Sequence, residues 1–211
     1  MWRMIQLPTA VFFRIWAPLT VEGIEKVDQS QPGLFVSNHQ SYLDPLILAV
    51  RLGRPVSYVA RDSLFRIPFI GWVLRNTYVT PISRTAARAA TIRAAVDRLK
   101  EGFIVGIFPE GTRSSGEVKQ FRPGIAAILR RSDVPVYPIG VAGADRVLPR
   151  GGLFARPRRI RLVIGDPILP ETIREQAAKG TKEQLVDFVR DHVVECYAEA
   201  QIRNTKRIES T

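Results

Sequence analysis

The sequence predicts an α/β fold, a single domain with a mixed, largely parallel sheet flanked by helices and preceded by an N-terminal amphipathic segment. Three observations carry that expectation. Short β-rich runs alternate with helical patterns through most of the chain. The length, 211 residues, suits one buried core and is short for two. Composition is ordinary for a folded chain, 45% hydrophobic and 24% charged, without repeats, low-complexity tracts or an obvious linker.

The elements follow in order. Residues 1–20 are apolar, with Trp2, Phe12, Phe13 and Trp16 set among Arg3 and Arg14. Arg3, Pro8, Arg14 and Pro18 cut the apolar runs below the roughly 18 residues of a spanning helix, and no signal-peptide cleavage pattern follows. The pattern suits either a segment lying in a bilayer interface or a helix packed on the domain, since periodicity does not name the apolar partner. Next, GLFVSN (33–38) reads as a buried strand. Asp44-Pro45 opens a helix, Asp as N-cap and Pro at the first position, running to Gly53. PVSYVA (55–60) is a strand, LFRIPFIGWVLRN (64–76) an amphipathic helix interrupted at Pro68, and YVTPI (78–82) a strand or edge. Residues 85–101 are Ala-rich and closed by Gly102, a clear helix. FIVGIFP (103–109) is a strand running into the turn EGTRSSGE, and Pro123-Gly124 precedes the helical IAAILRR. Strands follow at 134–143 and 159–168. Thr181 and Gln184 form a capping box for a last helix reaching about residue 200.

Charge narrows the partners. Lys and Arg number 31 against 20 acidic residues, a net charge of +11. Such a chain attracts nucleic acid, anionic lipid surfaces or phosphorylated substrates. No helix-turn-helix, RNP-type aromatic pair or zinc pattern is present, so nucleic acid is not expected. A single cysteine, Cys196, excludes an internal disulfide.

Two segments carry chemistry, each where a strand gives way to a turn. In NHQSYLD (38–44), His39 precedes Asp44 by five positions. A carboxylate can fix the tautomer of a histidine and stabilise its imidazolium after proton uptake. Residues i and i+5 of one helix stand about 140° apart, so the pair fits with His39 in the turn and Asp44 opening the helix. On spacing alone, a loop histidine beside a simple N-cap fits as well. In FPEGTRS (108–114), Gly111 permits close backbone approach, Thr112 brings a hydroxyl and Arg113 a cationic fork, a turn suited to phosphate or carboxylate. A plain strand-to-helix turn also fits that segment.

Taken together and in this order, NHQSYLD and FPEGTRS resemble the glycerolipid acyltransferase family, the PlsC-like 1-acylglycerol-3-phosphate acyltransferases. LFRIPFIGWVLRNTYVTPISR, ending at Arg84, resembles the family's second block. FRPG (121–124) and VPVYPIGV (134–141) complete a series of blocks with natural spacing. The resemblance implies a division into an interfacial segment (1–20), an acyltransferase domain (21–203) and a tail (204–211). It implies His39 as general base on the acceptor hydroxyl, with Asp44 orienting it. Direct attack on an acyl-CoA or acyl carrier protein thioester follows, without covalent intermediate, metal or cofactor. Glu110, Gly111, Thr112 and Arg113 are implied in glycerol-phosphate binding, Arg84 as a further phosphate ligand, and Arg61 as a contact to donor or phosphate. His192 and Ser41 are expected to be packing or capping residues. The implied place is the cytoplasmic face of a membrane, peripheral or monotopic, with a lysophospholipid acceptor and an anionic membrane surface as partners. The step TPISR lacks the more usual Asp or Lys before arginine, which leaves other lysolipids open as acceptors. A thioesterase and a non-catalytic anionic-lipid-binding protein are the alternatives.

Overall fold

The computed structural model describes residues 2–66, 68–75, 77–82, 88–152 and 154–206. Seven strands form one sheet: β1 (Leu19–Glu22), β2 (Gly33–Ser37), β3 (Val56–Arg61), β4 (Val79–Ile82), β5 (Ile104–Ile107), β6 (Val136–Ala142) and β7 (Ile160–Ile164). Their spatial order is β1-β7-β6-β2-β5-β3-β4. Every pairing is parallel except β6 with β7. The sheet is therefore mixed and largely parallel, as expected.

Helices cover both faces. They are α1 (Trp2–Ile15), α2 (Asp44–Ala49), α3 (Pro68–Arg75), α4 (Arg88–Lys100), α5 (Ile125–Leu129), α6 (Ala144–Val147), α7 (Pro170–Lys179) and α8 (Lys182–Lys206). Alternation along β2 sorts the layers. Leu34 and Val36 join a cluster with Leu99, Ile128, Leu185 and Val189 from α4, α5 and α8. Phe35 faces the other way, among Phe13 of α1 and Ile47 and Leu48 of α2.

Several expectations change. Asp44 is the first helical residue rather than the N-cap, which is Leu43, because the carboxylate turns back to bind the preceding loop. The α2 helix stops at Ala49, short of Gly53. Pro8 lies inside α1, where the missing N–H costs one hydrogen bond near the helix start. β1, α6 and α7 are additional: β1 and α6 are four residues long, too short for a periodicity signal, whereas Pro170 at N1 and Glu171 in the first turn were a readable start signal for α7. The capping box is present, with Thr181 N–H donating to Gln184 Oε1 (2.7 Å) and Gln184 N–H to Thr181 Oγ1 (3.2 Å).

The N-terminal segment serves the domain and also faces outward. Phe13 is buried, and Gln6 Nε2 donates to the carbonyls of Val50 and Leu52 at the end of α2 (3.0 and 2.8 Å). Met4, Leu7, Val11 and Ile15, spaced three or four apart, form an apolar stripe left in solvent. No helix among the described residues is long and apolar enough to cross a membrane.

Candidate active site

Residues 38–41 leave the C-terminal end of β2, the strand where the chain's course switches from one half of the sheet to the other, the usual location of α/β sites. Asn38 is buried and completes that strand end. Its Nδ2 donates to the Val141 carbonyl (3.0 Å) and its Oδ1 accepts from the Val141 N–H (2.8 Å), so its side chain replaces a rung between β2 and β6.

His39 and Asp44 meet. His39 Nδ1 lies 2.7 Å from Asp44 Oδ2, with the carboxylate fully buried and the imidazole side chain 19% exposed. The same oxygen accepts the N–H groups of Gln40 (2.7 Å) and Ser41 (2.8 Å). With Nδ1 donating to a carboxylate, the neutral ring presents Nε2 as its acceptor. The Phe108 ring stacks on the imidazole at 4.5 Å between centroids. Behind it stands Tyr58, whose hydroxyl donates to the Pro45 carbonyl (2.9 Å); burial pushes that phenol's pKa well above its usual value.

The FPEGTRS turn follows β5, and β5 pairs directly with β2, so the two motifs sit on adjacent strand ends. Hydrogen bonds join them. His39 N–H donates to Glu110 Oε1 (2.8 Å) and Ser114 N–H donates to the His39 carbonyl (2.8 Å). Glu110 is buried, and its other oxygen accepts from Ser114 Oγ (2.7 Å) and Lys119 N–H (3.3 Å). Both carboxylate oxygens are committed to holding the loops, so Glu110 bears on the site through the turn it shapes. Gly111 has φ 66°, a left-handed conformation that favours glycine, and the Arg122 guanidinium packs against it. Thr112 is exposed and Arg113 half-buried. The Arg113 guanidinium lies 3.7 Å from the centre of the Tyr42 ring, and its Nη1 is buried with no protein partner among the described residues.

A family model described as Acyltransferase matches residues 18–142. The chain belongs to the acyltransferase family. Among curated relatives, it is 32% identical over 168 residues to the chloroplastic 1-acyl-sn-glycerol-3-phosphate acyltransferase LPAT1 of Arabidopsis thaliana, covering 74% of this chain and 47% of that protein. It is 33% identical over 179 residues to a 1-acyl-sn-glycerol-3-phosphate acyltransferase of Pseudomonas aeruginosa, covering 83% and 68%. The chain thus spans about half the length of the plant relative and two thirds of the bacterial one. The crystal structure of the 1-acyl-sn-glycerophosphate acyltransferase PlsC from Thermotoga maritima superposes with a TM-score of 0.79 at 26% identity, over 94% of this chain and 79% of that one.

Within this acyltransferase fold, the remaining candidates divide. Arg84 falls in 83–87, outside the described residues, and Arg61 ends β3 with its side chain likewise outside them. Ser41 donates to the Leu148 carbonyl (3.0 Å), and His192 Nδ1 contacts the Phe188 carbonyl (2.9 Å), as packing residues do. Four contributors escaped the sequence analysis. Asn38 and Tyr42 stood inside the quoted motif without a role, and Arg122 stood in FRPG. Tyr197 came from α8, about 150 positions downstream; its hydroxyl accepts from Gln40 Nε2 (3.1 Å) and Gln201 Nε2 (2.9 Å), and burial raises its pKa. No local signal links Tyr197 to Gln40.

Proposed function

We propose that the chain is a 1-acylglycerol-3-phosphate O-acyltransferase. It moves a fatty acyl group from an acyl-CoA or acyl carrier protein thioester to the free hydroxyl of a lysophosphatidic-acid-like acceptor in phospholipid biosynthesis. The observation that carries this reading is the double clamp on His39. Its ring is held by Asp44, while its backbone is held on both sides by the phosphate-type turn 110–114.

The chemistry follows from that placement. An acceptor phosphate held by Arg113 and Arg122, with Arg84 assigned to it as a further ligand, sets the free hydroxyl at His39 Nε2. Nε2 takes the hydroxyl proton as the oxygen attacks the thioester carbonyl, and Asp44 stabilises the imidazolium. Collapse of the tetrahedral adduct breaks the C–S bond, and the imidazolium returns its proton to the leaving thiolate. Protons balance, with the thioester as the activated co-substrate, and in this reading neither metal nor cofactor takes part. Arg61, at the end of β3, is assigned to the donor or the acceptor phosphate. Holding base and phosphate site on adjacent strands supplies the orientation that a bimolecular transfer needs.

The place of action in this reading is the cytoplasmic face of a membrane, bound from one side. Residues 1–20 are the interfacial segment, with the stripe Met4, Leu7, Val11 and Ile15 entering the interface while Gln6 and Phe13 keep the helix on the domain. Trp72, 55% exposed, adds an aromatic contact of the kind interfaces favour.

The deciding experiment offers the purified protein a panel of lysolipids with each thioester donor and reads products by mass. Lysophosphatidic acid should be acylated, and thioester cleavage should depend on acceptor. Cleavage that never requires an acceptor would identify a thioesterase instead. His39→Ala should lower kcat by about 10²–10⁴ with an unchanged circular dichroism spectrum. Near-normal turnover in the folded variant would remove the general base.

A further inference from the structure

We propose that the arginine-rich segment 146–159 is a binding site for the headgroups of anionic phospholipids in a bilayer, built against the end of α1. It rests on the reading that α1 meets a membrane. The segment RVLPRGGLFARPRR holds five arginines, and no acidic residue occurs from Arg146 to Gly165. Among the described residues none of the five has a carboxylate within ion-pair distance. Nearby Arg161 and Arg203 contrast with them, since both pair with Glu22. A cavity of about 380 Å³ opens between Ile15, Trp16 and Pro18 on one side and Arg146, Arg158 and Arg159 on the other. That volume is within the range of small-ligand sites, and guanidinium forks suit phosphodiester oxygens.

The loop is held in place at several points. Arg156 N–H donates to the Val147 carbonyl (2.7 Å), closing it, and Gly152 N–H donates to the Pro149 carbonyl (3.0 Å) within it. Trp16 Nε1 donates to the Ala155 carbonyl (3.0 Å), pinning it to α1, and Ser41 Oγ donates to the Leu148 carbonyl, pinning it to the catalytic segment. Register locates the cavity. Leu19 pairs with Ile160, and Arg161 pairs with Ala142 at the far end of β6. The starts of β1 and β7 therefore lie at the same end of the sheet as the end of β2, where His39 stands. Phe154, 82% exposed, and the exposed Ile15 and Trp16 flank the arginines. Apolar side chains beside unpaired arginines match a bilayer, which offers acyl chains and phosphates side by side. A free anion would use only the arginines.

Vesicle co-sedimentation of the full chain tests this, using phosphatidylcholine vesicles with and without phosphatidylglycerol. The protein should prefer the anionic vesicles. Arg158→Gln with Arg159→Gln should cut that preference about fivefold per arginine, leaving phosphatidylcholine binding unchanged. The charge-matched pair Arg130→Gln with Arg131→Gln, where the chain enters β6 at the opposite end of the sheet, should cut it less. Equal loss in both pairs, or no loss in the first, overturns the proposal. Displacement from anionic vesicles by inorganic phosphate, at ionic strength matched with chloride, would mark a free-anion site and overturn it too. Leu7→Glu with Val11→Glu should abolish binding to both vesicle types. Wild-type protein that binds neither vesicle overturns the α1 reading; binding both alike overturns the headgroup site alone.

Discussion

Arg113, in the turn FPEGTRS, lies against the face of the Tyr42 ring, and that contact carries a prediction at the scale of single residues. The ring is half exposed, the guanidinium half-buried, and one guanidinium nitrogen has no protein acceptor among the described residues. A cation over an aromatic face gains about 0.5–2 kcal/mol, depending on desolvation. Tyr42 is thus a positioning residue for Arg113. Tyr42→Leu should raise the acceptor KM roughly two- to thirtyfold with kcat little changed, while Tyr42→Phe keeps the ring and should restore the KM. A fall in kcat in Tyr42→Leu that Tyr42→Phe restores would show that the ring serves His39 instead. The sequence carried part of this site. His39 and Asp44 were legible as a motif because five positions span one turn and the start of a helix. The hold of Glu110 and Ser114 on the His39 backbone was not, since it joins residues some 70 positions apart and uses the main chain of His39, which carries no residue identity.

At the scale of elements, α8 depends on a missing side chain. A Cβ at Gly140 would overlap the backbone of Cys196 and Tyr197, and one at Gly165 would press on Cys196 Sγ. Two glycines therefore let α8 lie directly on β6 and β7, which brings Tyr197 within reach of Gln40. Gly140→Ala should cost about 1–3 kcal/mol of stability through overpacking, read as a lower melting temperature, and weaken activity through Gln40. Gly124→Ala is the contrast. Its backbone is helical, the new methyl would meet only the tip of Ile92, and the melting temperature should hold or rise. Equal effects from the two would contradict the packing. The strands β2 to β7 were legible along the chain as β-rich runs, but their order across the sheet was not. β7 was read within 159–168, but its antiparallel pairing with β6 was not, and β1 was missed because a four-residue strand has too few positions to show alternation and its partner lies about 140 residues away. The two-faced α1 escaped for another reason: its apolar positions exceed what one partner uses.

For the whole molecule, the chain of contacts from α8 to the His39–Asp44 loop implies that the candidate site and the fold open together. Cys196, next to Tyr197, is buried, and desolvation with a smaller push from Glu199 raises its thiol pKa from 9.0 to about 11. At mildly alkaline pH a rise of two units leaves about a hundredfold less thiolate, and burial blocks access as well. A raised folded pKa stabilises the folded state below the unfolded pKa, and that contribution is lost as pH climbs through the folded value. The relevant window is therefore about pH 9 to 11, well above the range in which activity would be assayed. Alkylation of Cys196 in the folded protein should accordingly be slow and should accelerate only as α8 leaves the sheet. If Gln40 is held in place by Tyr197, loss of acyl transfer and onset of alkylation should share one midpoint in a urea titration. Activity lost at clearly lower urea than alkylation begins would mean that the catalytic loop melts by itself, and the link from α8 to Gln40 would then be structural decoration rather than support.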